Sequence, residues 1–417
     1  MHTPTSCAVL WDESHLWGIL VCRALDALQV PYILLRAEEI AAGALSRLQA
    51  PTLLVPGGWA RLKSQVLGES GRLAIRTYIE HGGNYLGFCG GAGLGLASDG
   101  SGKFLDLCSW SRKPAKVRLP NFSGHLHCTL HGTGAAQSAA LPVWWPSQFA
   151  PDPAQPLEVL ARYSHPGTDF WSADILWSDV AQHEVSAWEA LYGINLNPDL
   201  LRGEPCIVRG HLGQGSFVLS YPHLETPDSA QANTLLAHFL GQNQSAQVPV
   251  WDLRQHNPVW INDQLAAIHA LLLETINFGE QHFLLSWRTP WLLGWRRGVP
   301  GSALTFLLAM SWQAQHLPST DTAQNYWAEH GPACRALCQN FCAQTKEYLL
   351  VERRILATTP SSPEASACPA LHQRKKALFG AFPGYGGTYG SLVRILDELL
   401  WLLLSRQEKT SAYQISQ

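Results

Sequence analysis

Residues 1–245 read as an α/β fold built on a doubly wound, mostly parallel sheet, and residues 246–417 as an all-α domain. Two observations predict this. Short apolar strands alternate with helical periodicity through the first half, and alternation of that kind makes parallel sheets. The second half carries helical apolar spacing and no convincing strand. The chain of 417 residues also exceeds one ordinary core, so two domains are the prior expectation.

Taken in order, Cys7–Trp11 is a short apolar strand and Leu16–Leu28 has helical periodicity. Tyr32–Leu35 and Thr52–Val55 are buried strands, the second closed by Pro56-Gly57-Gly58. A helix through Leu73–Glu80 ends at His81-Gly82-Gly83, with glycine where a C-cap wants it. Asn84–Phe88 is the next strand, and a Gly/Ala-rich helix start follows it. From Val117 to about Leu160 the pattern turns to short segments with Pro and Gly, a β-rich excursion. Cys206–Gly210 and Ser216–Ser220 form a hairpin pair around Gly213-Gln-Gly215, and a helix from about Ser229 to Leu240 closes the domain. The polar run Gln242–Gln247 is the linker. Beyond it, helical spacing marks Ile261–Phe278, Ala303–Trp312, Gln324–Arg354 and Ser391–Leu404. Thr358–Pro369 and Gly380–Gly390 read as loops between them.

Composition narrows the function. Only 15% of residues are charged and the net charge is -3, so nothing electrostatic recommends a nucleic-acid or membrane partner. No stretch reaches the roughly 18 uninterrupted apolar residues of a membrane span. Asp12 and Glu13 interrupt the first apolar run where a signal peptide would have to continue. The ten cysteines show no small-domain disulfide pattern and read as reduced thiols in a soluble, cytoplasmic protein.

The chemistry concentrates at Gly87-Phe88-Cys89-Gly90-Gly91, where a strand turns sharply into a helix. A nucleophile on such a turn needs small neighbours, and the helix start aims amides and the positive dipole end at its sulfur. The Gly90 amide would face a developing oxyanion, with Gly57 or Gly58 supplying a second donor. The base is sought in Tyr221-Pro222-His223-Leu224-Glu225, directly after a strand. Residues two apart share a side of an extended segment, so Glu225 can hold the His223 ring while the ring faces Cys89. Taken singly, Cys89 reads as a small core residue and His-x-Glu as chance. Their order, on strand ends of one sheet, favours a Cys89–His223–Glu225 triad. Asp12, Glu13 and His15 end the first strand and should border the same crevice, while Trp59 and Trp144–Trp145 are candidates for its walls.

Pro56-Gly57-Gly58, the run Gly82–Ala92 and Pro222-His223-x-Glu225 together resemble class I glutamine amidotransferases. Closer still, the run Gly82–Cys89 (GGNYLGFC) resembles the N-terminal domain of biotin–protein ligases, with Leu141–Trp145 and Gly213-Gln-Gly215 as looser landmarks. The resemblance covers about residues 5–245. It implies a flavodoxin-like sheet, Cys89 as the group that attacks a carboxamide, His223 and Glu225 completing the triad, and Gly58 and Gly90 as oxyanion donors. It does not imply a biotin ligase, because no Gly-Arg-Gly-Arg-x-Gly-type biotinyl-adenylate loop is found.

Three other clusters compete for attention. His125, His127, Cys128 and His131 are metal-capable, yet no carboxylate lies near them in sequence, and rim histidines are the expectation. Cys334, Cys338 and Cys342 recur every four residues as a packing stripe on one helix face. Gly384–Gly390 lacks the Lys-Ser/Thr ending of a phosphate loop and reads as a turn. The sequence therefore implies no cofactor and no resident metal. Its expectation is a cysteine amidohydrolase or acyl-transfer enzyme acting on a small amide or acyl substrate, with the helical half shaping the pocket or recruiting a protein partner. The alternative is a ligand-binding or redox-sensing module on the same fold.

Overall fold

The computed structural model describes residues 7–48, 50–98, 103–132, 138–242, 245, 247–294, 301–358, 368–381 and 384–405. Two compact units emerge, Met1–Pro249 and Val250–Gln417.

In the first unit the elements run β1 (Cys7–Leu10), α1 (His15–Ala27), β2 (Tyr32–Leu35), α2 (Ala37–Ala41), α3 (Ala44–Leu48), β3 (Thr52–Val55) and α4 (Ala60–Glu80). β4 (Asn84–Phe88), α5 (Gly90–Gly95), β5 (Ser111–Arg112), β6 (Phe122–Leu130), β7 (Ser138–Trp144), β8 (Phe149–Ala150) and β9 (Glu158–Pro166) follow. The unit closes with β10 (Trp171–Ser172), β11 (Ile175–Leu176), α6 (Val185–Tyr192), β12 (Pro205–Leu212), β13 (Gly215–Ser220) and α7 (Ala230–Phe239). Every residue of β1 and β3 is buried, which requires cover on both faces of the sheet. On one face Leu10, Leu53, Val55 and Leu219 pack with Ile40 of α2, Leu67 and Ile75 of α4, and Leu94 of α5.

Strand order is β11-β10-β6-β9-β12-β13-β4-β3-β1-β2, with β7 paired to β6. Among the described residues only the five strands β2, β1, β3, β4 and β13 pair in parallel. From β13 outward every pairing is antiparallel. The sheet is thus mixed rather than mostly parallel. Of the β-rich excursion, β6, β7 and β9 extend the same sheet beyond the β12–β13 hairpin, while β8 pairs with β5 in a separate two-stranded ladder. The register of β4 with β13 matters most for chemistry. Ser220 pairs with Phe88, so Cys89 and Tyr221 leave adjacent strands side by side.

The second unit contains α8 (Asp263–Gln281), β14 (Trp287–Thr289), β15 (Leu292–Leu293), α9 (Gly301–Gln315), α10 (Asp321–Thr358), α11 (Pro369–Phe379) and α12 (Gly387–Leu404). α8, α9, α10 and α12 pack on one another, with α11 against α10 and α12. The Asn262 side chain caps α8 by accepting from the amides of Gln264 and Leu265, each at 3.1 Å. The small β14–β15 hairpin departs from the all-α expectation. The loop expected at 358–369 lies largely outside the described residues, and the glycine-rich turn begins α12 at Gly387 rather than near Ser391. In α8, His269 is buried with both ring nitrogens lacking a partner among the described residues. It stacks on His256 at 4.4 Å. Burial first, then the neighbouring His256 and His316, pushes it down to about 3.

No helix among the described residues is long and apolar enough to cross a membrane. Eight of the ten cysteines are buried, Cys89 and Cys368 are partly exposed, and all ten are free thiols. Cys334, Cys338 and Cys342 lie together in the α10 packing face, fully buried.

Candidate active site

Cys89 stands at the corner between β4 and α5 with φ +46° and ψ -98°. A side chain rarely adopts that backbone, and such a residue costs of order 1–3 kcal/mol. Hydrogen bonds on both sides hold it there. Its amide donates to Ser220 O at 2.7 Å, and its carbonyl accepts from Gly93 N at 2.9 Å.

His223 and Glu225 are both fully buried, and His223 Nδ1 lies 2.7 Å from Glu225 Oε1. An ionised carboxylate only accepts, so Nδ1 carries a proton and donates it to Glu225. Nε2 makes no hydrogen bond of ordinary length among the described residues. Burial opposes the imidazolium, but the Glu225 carboxylate and the Cys89 side chain outweigh it and push His223 up to about 10. Cys89 lies near enough to raise the ring, without a hydrogen bond to it among the described residues. Long contacts of this kind are usual at catalytic pairs before substrate binds.

The backbone around the ring is fixed from several directions. His223 N donates to Pro142 O at 2.8 Å, and Thr226 Oγ1 donates to His223 O at 2.8 Å. Thr226 Oγ1 in turn accepts from Trp144 Nε1 at 3.0 Å. Trp144 therefore anchors the His223 turn. The Trp17 ring lies over His223 at 4.4 Å.

Gly57 and Gly90 show why small residues are required here. A Cβ on Gly57 would stand 2.7 Å from His223 Cε1 and 3.0 Å from Trp17 Cγ. A Cβ on Gly90 would collide with the Gly58 carbonyl, so the two backbone segments named as oxyanion donors touch each other. Gly58 has φ +111° and abuts the carbonyl of Glu13. Glu13 itself has φ +56° and His15 φ +45°, a second strained stretch beside the first.

The remaining residues divide. Glu13 reaches the Gly58 segment through its backbone, while its carboxylate lies 3.6 Å from His15 Nε2. The Asp12 carboxylate accepts from the Ala37 amide at the start of α2 and so holds structure. Trp59 is 41% exposed and Trp145 is half-buried. Sequence reasoning missed Trp17 and Lys63. Lys63 is fully buried and donates to Ser14 Oγ at 2.6 Å and Asp12 O at 3.2 Å, pinning the β1 loop. Its signal was faint but present, since Lys63 occupies the apolar register of α4 with Ala60 and Leu67.

The histidine cluster of β6 is not gathered around one point. His125 Nδ1 lies 2.7 Å from Asp169 and its Nε2 2.9 Å from Ser229 Oγ, whereas His127 stacks on His165 at 4.3 Å. The carboxylate missing from the local sequence is thus supplied by Asp169. Among the described residues no group of three or more such side chains could hold a metal ion.

No protein-family model matches the chain, and no curated protein matches it. Solved structures do. PurLQS from Thermotoga maritima is similar at 11% identity over 57% of this chain and 99% of that one, with a TM-score of 0.40. A putative GMP synthase component from Thermoplasma acidophilum shares 15% identity over 58% of this chain and 94% of its own, TM-score 0.37. A beta-galactosidase from Bacillus circulans is matched at 13% identity and a TM-score of 0.33, with only 32% of its length covered.

Proposed function

We propose that the chain is a cysteine-dependent amidohydrolase or acyl-transfer enzyme of the glutamine-amidotransferase-like type, on a doubly wound, flavodoxin-like sheet. The resemblance of the GGNYLGFC run to the N-terminal domain of biotin–protein ligases supports this reading, and we propose no ligase activity. One observation carries the reading: a fully buried His223–Glu225 pair at 2.7 Å lies near a thiol held on a strained strand-to-helix corner.

In this reading His223, held as an imidazolium by Glu225, stabilises Cys89 as the thiolate, and the thiolate attacks the carbonyl carbon of an amide. The oxyanion forms against the Gly58 and Gly90 segments. His223 then gives its proton to the leaving amine as the carbon–nitrogen bond breaks, leaving a thioester. Water or another acceptor, deprotonated by His223, attacks that thioester and releases the acid or acyl product with the thiol restored. Glu225 keeps the ring in the required tautomer and stabilises its charged form.

The test is the rate of Cys89 alkylation by iodoacetamide across pH, in the native chain and in His223→Ala. A coupled nucleophile loses reactivity at neutral pH in the variant, and its profile moves to more alkaline pH. An identical profile in both proteins would leave the ligand-binding or redox-sensing module as the better account.

A further inference from the structure

His125 on β6 is held at both ring nitrogens. Nδ1 lies 2.7 Å from Asp169 Oδ2, and Nε2 lies 2.9 Å from Ser229 Oγ. An ionised carboxylate only accepts, so in the neutral ring Nδ1 carries the proton and Nε2 offers its lone pair to the Ser229 hydroxyl. Serine, histidine and aspartate thus stand in the order of a nucleophile, its base and the group that orients the base.

The ring is fixed in that pose. Asp169 Oδ1 also accepts from the His125 amide at 2.9 Å, so one carboxylate grips both the ring and the backbone of His125. Gly167 N donates to His125 O at 2.8 Å, and Trp144 meets the ring edge-on at 6.5 Å. Burial works against a charged Asp169, but the hydrogen bonds from His125 outweigh it and hold the carboxyl below its ordinary value, ionised at neutral pH.

Ser229 is the N-cap of α7 and only 6% exposed. A serine in that position ordinarily accepts from the amides of the first helical turn. This one makes no such cap, and its hydroxyl serves His125 instead. The first-turn amides, beginning at Ala230, therefore stand uncapped by it at the positive end of a helix of 10 residues. The amide directly after a nucleophilic serine is well placed to hold an oxyanion. The rim is open, with the His125 and Asp169 side chains 29% and 44% exposed. Solvent there screens the hold of Asp169 on an imidazolium. An amine leaves only once protonated, whereas an alkoxide leaves with less help, so the arrangement suits esters better than amides.

We propose that Ser229, His125 and Asp169 form a hydrolytic centre of their own, a serine site that cleaves carboxylic esters. Ser229 Oγ bonds to the carbonyl carbon as its proton passes to His125 Nε2. The ester carbon–oxygen bond then breaks, and that proton goes to the departing alkoxide. Water, deprotonated by the same nitrogen, attacks the acyl-serine, which releases the acid and restores the hydroxyl. None of this depends on the role given to Cys89.

The test uses the full chain after iodoacetamide treatment, so that thiols do not compete. Diisopropyl fluorophosphate is added and the labelled peptides are mapped by mass, while p-nitrophenyl acetate hydrolysis is followed in parallel. In labelling, Oγ bonds to phosphorus, fluoride leaves and the proton passes to His125. The expected result is an adduct on Ser229 and ester turnover that is lost in Ser229→Ala. His125→Gln keeps a hydrogen-bonding side chain, and Asp169→Asn keeps an acceptor for the His125 amide. Each should slow labelling about a hundredfold or more at an unchanged melting temperature, and Asp169→Glu should recover part of the Asp169→Asn loss. Should those variants melt early, the native chain decides alone: an activated serine takes the label when folded and not in urea. Absence of both the Ser229 adduct and Ser229-dependent turnover overturns the centre. Labelling of a folded His125→Gln at the native rate, or of Ser229 in urea, overturns it equally. Failure here leaves Cys89 untouched, because its own test is the alkylation profile of His223→Ala.

Discussion

His223 is raised from 6.5 to about 10 in the fold by a buried carboxylate, and this makes the site a contributor to stability as well as to chemistry. A group whose value rises on folding stabilises fully below its unfolded value and loses that contribution as pH climbs through its folded one. The native chain should therefore lose stability between pH 6.5 and about 10 through this residue. Glu225→Gln removes the raising charge, so its thermal midpoint should start lower at pH 6 and fall less across that window. A melting series in matched buffers reads this directly, and parallel curves for the two proteins would contradict it. The residues of this pair, with Cys89, were legible from sequence because each sits at a fixed offset from a strand end. Lys63 and Trp17 were not, because a lysine in a helix and a tryptophan in an apolar helix announce nothing until a neighbouring loop closes over them.

At the scale of elements, the turn between β3 and α4 acts as a spacer for the His223 ring. Gly57→Ala adds one methyl group 2.7 Å from His223 Cε1, closer than any ordinary contact. The ring or the turn must move, at a cost of about 1–3 kcal/mol for overpacking. The expected outcome is a modest drop in melting temperature together with loss of the His223 effect on Cys89 alkylation. Unchanged alkylation would mean that the turn, not the ring, gives way. The same scale shows what sequence reveals. β1, β3, β4 and the β12–β13 hairpin were readable, since continuous apolar runs and a Gly-Gln-Gly turn are local signals. β10, β11 and the β14–β15 hairpin are two or three residues long and exist only through their partners. α11 buries only Leu371, Leu378 and Phe379, too few apolar positions to mark a period. The antiparallel share of the sheet escaped because β6 and β9 are joined by long connections whose direction no local residue encodes.

On the scale of the whole molecule, the two units carry titrating histidines of opposite sign. His269 is lowered from 6.5 to about 3, so its contribution is intact above the unfolded value and is lost as pH falls from 6.5 toward 3. His269→Leu keeps the α8 face apolar and removes the group, so the helical unit should withstand acid better than the native one. Tryptophan-fluorescence melts at pH 7 and pH 4 compare the two, and an equal acid loss would assign it elsewhere. The opposed directions predict a stability optimum bounded on the acid side by the helical unit and on the alkaline side by the α/β unit.

The burial of eight of the ten sulfurs turns the cysteines into a clock. A colorimetric thiol reagent should find two groups, Cys89 and Cys368, in the native chain, and the rest only as the structure opens. With Cys368→Ser the early signal belongs to Cys89 alone, while the slow phase times the opening of each unit. A single reaction trace then separates local change at Cys89 from loss of the fold, and a native count well above two would show that the packed faces breathe.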